Sequence, residues 1–176
     1  MKKSAPIVLF YCICVFFNIT ESYASETNGS IAGFWKTINE KTLMPECIIA
    51  IYEHRGQYFG RIILTYRADG SLQDTLYNPE KRALGVLGNP YYSGLDIIWG
   101  LRKKGGFYTG GSILDPLRGN IYRAEAWKEK DRLVVRGIWF IFWRNQTWPK
   151  ALDADFPEGF HKPDFFSFTP IIPKVN

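Results

Sequence analysis

Few residues of this 176-residue chain are of a kind that does covalent chemistry, and they do not stand together. The two histidines, His54 and His161, have no second His, Cys or carboxylate at a spacing that closes a metal site. There is no Gly-x-Ser-x-Gly elbow for a serine nucleophile. The run Gly105-Gly106 to Gly110-Gly111 lacks the Lys and the strand-to-helix setting of a phosphate loop, and reads as turn chemistry. Asp115 stands before Pro116, where it starts a turn. The sequence therefore predicts no enzyme, no metal and no cofactor. What remains is aromatic mass, six Trp, ten Tyr and thirteen Phe, with Arg61 and Arg136 set inside apolar runs. Aromatic rings around an interior make flat apolar walls, with Tyr hydroxyls and Trp N–H groups as polar handles. An arginine at the mouth of such an interior would pair with a ligand carboxylate. The candidate ligand-binding residues are Tyr52, Tyr58, Arg61, Trp99, Tyr122 and Arg136, and the expected ligand is small and hydrophobic or amphipathic. The competing reading fills a core with the aromatics and lays the arginine stems over outer apolar surface.

The elements that would position these residues are strands. Residues 31–38, 47–54 and 57–66 read as the first three, the last two joined at Arg55-Gly56. Ala68-Asp69-Gly70-Ser71 is a turn. Residues 72–89 show little periodicity and read as a long connection with one helical turn near 79–84. The stretch 94–122 reads as a meander: a strand at 96–102, a basic Gly-rich turn at 103–106, then two short strands, 107–109 and 112–114, separated by Gly110-Gly111. Strands at 120–129, 132–142 and 144–148 follow. Eight or nine short antiparallel strands with almost no amphipathic helix suggest a sandwich or an up-and-down barrel. Closure into a barrel removes the edges that invite aggregation. Tyr122, Ala124 and Ala126 share one strand face; turned inward, the two alanines leave room, and a barrel of about eight strands holds one small ligand. Alternation does not decide which face of 57–66 looks inward, because both carry apolar residues.

The ends differ from the middle. Lys2 and Lys3, the apolar run 6–17 and the small residues of Ser22-Tyr23-Ala24 have the order of a secretory signal peptide, with cleavage expected after Ala24. The chain is thus expected to be exported, to the periplasm or beyond. Processing removes Lys2, Lys3 and Glu21 and leaves 20 basic against 16 acidic residues, a net +4. That excess is too mild and scattered for a nucleic-acid partner. Cys47 alone survives of three cysteines, so no internal disulfide can form, and it reads as a small buried hydrophobe. The segment 151–176 combines repeated prolines with Phe156, Phe160, Phe165, Phe166 and Phe168. It is expected to be irregular and to pack over the domain or dock on a partner.

Several short motifs occur in order: Gly33-Phe34-Trp35-Lys36-Thr37, Tyr58-Phe59-Gly60-Arg61-Ile62, Gly94-Leu95-Asp96-Ile97-Ile98-Trp99-Gly100, Gly110-Gly111-Ser112-Ile113-Leu114-Asp115-Pro116, Gly119-Asn120-Ile121-Tyr122 and Gln146-Thr147-Trp148. Together they resemble the bacterial secreted family known as domain of unknown function 2147. The resemblance covers roughly 31–150 and implies an all-β, lipocalin-like small antiparallel up-and-down barrel; with the ends as read above, the plan is a signal peptide at 1–24, the barrel domain at 25–150 and an irregular tail at 151–176 that inherits nothing from the family. It implies binding of a small hydrophobic molecule by analogy of fold alone. It also implies that Trp35 packs across the closed end beneath a basic residue, Lys150 or Arg144. Relatives carry cysteines where this chain has Phe59, Leu76, Trp139 and Trp143, so a disulfide role is lost here. A second reading makes the barrel a scaffold, with loops and aromatic tail making peripheral contact with an envelope protein or membrane surface.

Overall fold

The computed structural model describes residues 29–175; the expected signal peptide lies outside the described residues. Nine strands follow one another: β1 (Gly33–Ile38), β2 (Pro45–His54), β3 (Gln57–Tyr66), β4 (Leu72–Thr75), β5 (Asp96–Lys104), β6 (Phe107–Asp115), β7 (Asn120–Glu129), β8 (Arg132–Trp139) and β9 (Phe142–Pro149). All pairs are antiparallel, in the order β1-β2-β3-β5-β6-β7-β8-β9, with β4 alongside β3. The backbone of Trp35 pairs with that of Lys150, and Ala151 N–H donates to Phe34 O at 2.9 Å. These contacts bring β9 back to β1 and nearly close an eight-stranded, lipocalin-like barrel.

One end of the barrel is packed solid. Trp35, Ile51, Tyr58, Ile98, Leu101, Tyr108, Ala124, Ala126 and Leu133 are all buried there in one cluster. A Cβ on Gly111 would come within 2.7 Å of Leu101 Cγ and of Trp99 O, so Gly111 leaves its space to the Leu101 side chain. The room expected beside Ala124 and Ala126 is thus already filled.

The structure corrects three element boundaries. Gly110-Gly111 does not break a strand. Gly110 takes φ +76° and the register of β6 shifts there, so the pair makes a bulge within one continuous strand. The strand expected to run to 142 ends at Trp139, and Phe140-Ile141 turns the chain into β9. No helical turn forms at 79–84. Strand β4 instead pairs with the far half of β3, and β5 takes over the nearer half. The connection between β4 and β5 thereby becomes part of the wall.

The segment after β9 runs along the outside of β1, β2 and β3. Phe34 on the outer face meets Phe156 and Phe165 edge-on, at ring distances of 5.5 and 5.1 Å. Ile48 and Leu64 are buried beneath Phe156. Lys36 Nζ bonds Asp155 at 2.5 Å, and the Tyr66 hydroxyl donates to Asp155 O at 2.5 Å. Near its end, Val175 pairs with Val86. β3 accommodates this second apolar face through a bulge: Ile48 and Ile49 pair with Leu64 and Ile62, skipping Ile63. Ile62 joins the interior cluster and Leu64 the outer one.

Candidate functional site

The opposite end of the barrel is open. A cavity of about 920 Å³ lies there, bounded by the β1–β2 loop, the β6–β7 turn, the connection after β4 and the tip of β8–β9. Its floor is apolar: Ile49, Ile62, Ile97, Ile113, Val135 and Trp148. Trp148 and Ile49 belong to the buried core, so the floor is continuous with the packed end.

Above the floor the wall turns polar. Thr37 is opposite Cys47, Cys47 opposite Thr65, and Thr65 opposite Asp74, one row across four strands. Cys47 Sγ lies 3.1 Å from Thr37 Oγ1, and burial pushes its thiol up to about 12. The neutral thiol is therefore a lining group, not a nucleophile. Asp74 is buried, and four donors satisfy its carboxylate: Thr65 Oγ1 and Ser93 Oγ, each at 2.6 Å, and the backbone N–H groups of Lys81 and Glu80 at 3.0 and 3.3 Å. A buried carboxylate needs such partners. Here they tie the connection after β4 to the barrel.

That tie positions two side chains at the cavity wall. Arg82 and Tyr91 pair antiparallel, which sets Lys81 beside Tyr92. Lys81 Nζ lies 4.2 Å from the centre of the Tyr92 ring, and both residues line the cavity. Among the described residues Lys81 has no carboxylate within ion-pair distance, unlike Arg67, Arg118 and Arg144, which pair with Glu80, Asp115 and Glu40. Burial raises the Tyr92 hydroxyl above its usual range, with Asp115 adding to the shift, so it stays a neutral donor. An ammonium and a phenol over an apolar floor suit a molecule with an apolar body and an anionic head.

Of the six sequence candidates, Tyr122 lines this cavity. Tyr58 is buried at the packed end, its ring 4.7 Å from that of Tyr108. Trp99 is half-buried against the same cluster. Tyr52 and Arg61 are bound on the outer side of the wall: both reach Asp96, and Phe168 of the terminal segment covers them. Arg136 bonds Asn145 and Glu125 and lies over Trp127, away from the cavity. The structure thus brings Tyr52 and Arg61 together, but under the tail. Lys81, Tyr92 and Asp74 escaped sequence reasoning because residues 72–95 have no periodicity to read. Their one signal was length, since a long connection without regular structure is commonly functional.

The contact implied for Trp35 does not form. Its Nε1 donates to Ile31 O at 2.8 Å, and among the described residues no cation lies over its ring. Lys150 meets it through the backbone only and is exposed, while Arg144 is at the open end with Glu40. Among the described residues no group of three or more His, Cys, Asp or Glu side chains could hold a metal ion.

A solved structure shares this architecture. Protein HP1028 from the human pathogen Helicobacter pylori, described as belonging to the lipocalin family, superposes with a TM-score of 0.57 at 16% sequence identity, over 72% of this chain and 86% of that one. At that identity the likeness is one of fold. No protein of curated function matches the sequence. Residues 33–150, from the first strand to the residue that brings β9 back to it, match the family described as uncharacterized protein conserved in bacteria (DUF2147), and the chain belongs to that family.

Proposed function

We propose that this chain is an exported binding protein that holds one small amphipathic molecule in the open end of its barrel. The carrying observation is the cavity itself: about 920 Å³, apolar at the floor, with the Lys81 ammonium, which has no carboxylate partner among the described residues, and the Tyr92 phenol on its wall. That volume suits a ligand of a few hundred daltons. The apolar part would lie on Ile62, Ile113, Val135 and Trp148, where leaving water drives binding. A carboxylate or similar anionic head would take the charge-assisted bond offered by Lys81. The leader-like sequence at 1–24 supports an address outside the cytoplasm, and the lipocalin-like fold supports carriage of a small molecule.

The test is native mass spectrometry of the protein purified from the cell envelope, followed by titration with a fluorescent fatty acid. The expected result is a co-purified small molecule or saturable one-to-one binding. Lys81→Gln should weaken the fatty acid by about tenfold, the scale of one charge-assisted bond, and leave its neutral alcohol almost unaffected. A clean mass together with no saturable binding would overturn the proposal.

A further inference from the structure

The tip of the β8–β9 hairpin is built from residues unusual in a turn. Tight two-residue turns need positive φ and are normally supplied with Gly, Asn or Asp. The β2–β3 turn places Gly56 at φ 76°, after Arg55 at φ 52°. At the β8–β9 tip the turn residues are Phe140 and Ile141, and Phe140 is held at φ 55°. That conformation is costly for a bulky side chain. Arg55 and Lys130 take a similar φ at two other turns, so this tip is set apart by what its side chains do.

What they do is protrude. Five consecutive large apolar residues, 139–143, are exposed, with Phe140 at 85% and Ile141 at 77%. The ring contacts of Trp139 stay within the tip, with Phe140 and Phe142. Trp139, Phe142 and Trp143 also border the cavity, so the tip stands at its mouth. Leu43 and Leu117, exposed in the two other loops of this end, extend the apolar crown.

Two arginines, Arg123 and Arg144, stand at the base of the tip. Within the hairpin 132–149, Arg136 pairs with Glu125 and Arg144 with Glu40, and Arg132 lies at the far end opposite Pro149. Arg123, opposite Ile138, is exposed and has no ion pair among the described residues, and Arg144 is opposite Gly137. Arg144 is held by Glu40 at 2.8 Å, so Arg123 is the guanidinium without an ion pair, among the described residues, beside a convex apolar point that carries Trp at both ends. A standard protein interface needs roughly 20–30 residues a side and shaped complementarity. Five side chains on a narrow tip fall short of that. A bilayer asks for neither: aromatic residues settle at the headgroup level, and basic residues meet anionic lipid.

We infer that the 139–143 tip inserts into the interfacial layer of an anionic bilayer, with Arg123 on lipid phosphate, and so seats the mouth of the cavity against the membrane. A ligand can then pass between bilayer and barrel without crossing water. The inference does not depend on the cavity being occupied.

The test is flotation of the purified exported protein with vesicles of phosphatidylethanolamine containing a quarter phosphatidylglycerol, and with vesicles of phosphatidylcholine alone. The protein should float with the first and not with the second. Lipids brominated near the headgroup should quench its tryptophan fluorescence. The variant Phe140→Ser/Ile141→Ser should lose binding by at least about tenfold, the scale of withdrawing one large apolar side chain from lipid. Arg123→Gln should weaken it and flatten its salt dependence. The serine variant should still bind a soluble fatty acid, which separates this inference from the cavity reading. Wild-type protein that ignores anionic vesicles, or a serine variant that floats equally well, overturns it. So does a tip that instead mediates a dimer, seen by sedimentation as self-association lost in the variant without vesicle binding.

Discussion

Arg61, on the outer face of β3, forks onto Asp96 at the head of β5. Its Nε donates to Oδ1 at 2.9 Å and its Nη2 to Oδ2 at 2.7 Å. The same Nη2 donates to Thr169 O at 2.8 Å, and Asp96 Oδ2 also accepts the Ile171 N–H at 2.7 Å. The Tyr52 hydroxyl completes the set on Asp96, and its own titration is pushed upward by burial first and then by the Asp96 charge. With Asp96 fully buried and Arg61 nearly so, this ion pair joins two strands and fastens the terminal segment over both.

Replacing Asp96 by Asn leaves the Arg61 charge buried without its counter-charge. The expected loss is about 3 kcal/mol in urea unfolding, the lower part of the range for a broken buried pair. The double change Arg61→Met/Asp96→Leu should lose less than Asp96→Asn alone, because it removes both desolvated charges. A double variant less stable than the single one would refute this account.

Truncation after Lys150 should be more damaging than removal of an ordinary tail. It uncovers Phe34, Ile48 and Leu64 and removes the groups that cover Arg61. The shortened chain should bind a hydrophobic dye on its outer face and associate in gel filtration. A monomer with unchanged melting temperature would show the segment to be dispensable.

Cys47 gives a prediction in pH. Burial raises its folded-state thiol from 9.0 to about 12. Burial, aided by Asp155, raises Tyr66 from 10.0 to about 12. Both groups keep their protons longer folded than unfolded. Their contribution is therefore complete below their ordinary values and is lost as pH rises through about 12. Stability should fall across that alkaline window and stay level from this cause near neutrality. At pH 8, maleimide labelling of the Cys47 peptide should run roughly two orders of magnitude slower in the native protein than in urea. A bound ligand should slow it further.

Gly85 and Gly119 meet backbone to backbone where the connection after β4 abuts the β6–β7 turn. A Cβ on Gly85 would lie 2.1 Å from Gly119 N. Gly85→Ala must move one of these segments, and a cost of about 2 kcal/mol is expected. Gly137→Ala is the control, since its nearest neighbour would lie at 3.7 Å. It should be tolerated or slightly stabilising, because Gly weakens a strand interior. Thermal unfolding of the two variants decides the point.

The alternation of apolar and polar residues exposed most of the strand plan in the sequence. Arg55-Gly56 announced the β2–β3 turn in the ordinary way. Three things stayed hidden, each for a physical reason. The inward face of β3 was unreadable because the terminal segment gives its outer face a second core, which is how Arg61 comes to lie outside. Lys81 and Tyr92 were unreadable because the wall there is a connection organised by Asp74, not a strand with a period. The β8–β9 turn was unreadable because its residues are aromatic and aliphatic, the chemistry of a strand and not of a reversal.

The seam between β1 and β9 has a consequence for the order of assembly. Neighbouring strands along the chain zip as short hairpins, but β1 finds its second neighbour only at Lys150. The side-chain bond beside the seam, Lys36 to Asp155, spans 119 positions. Closing so long a loop is entropically costly and slow. A chain delivered from its N-terminal side therefore holds an open curved sheet, with its apolar concave side wet, until Lys150 and the segment after it arrive. The terminal segment then acts as the final stave and hoop together: its arrival both shuts the vessel and covers the outside of the strands made first.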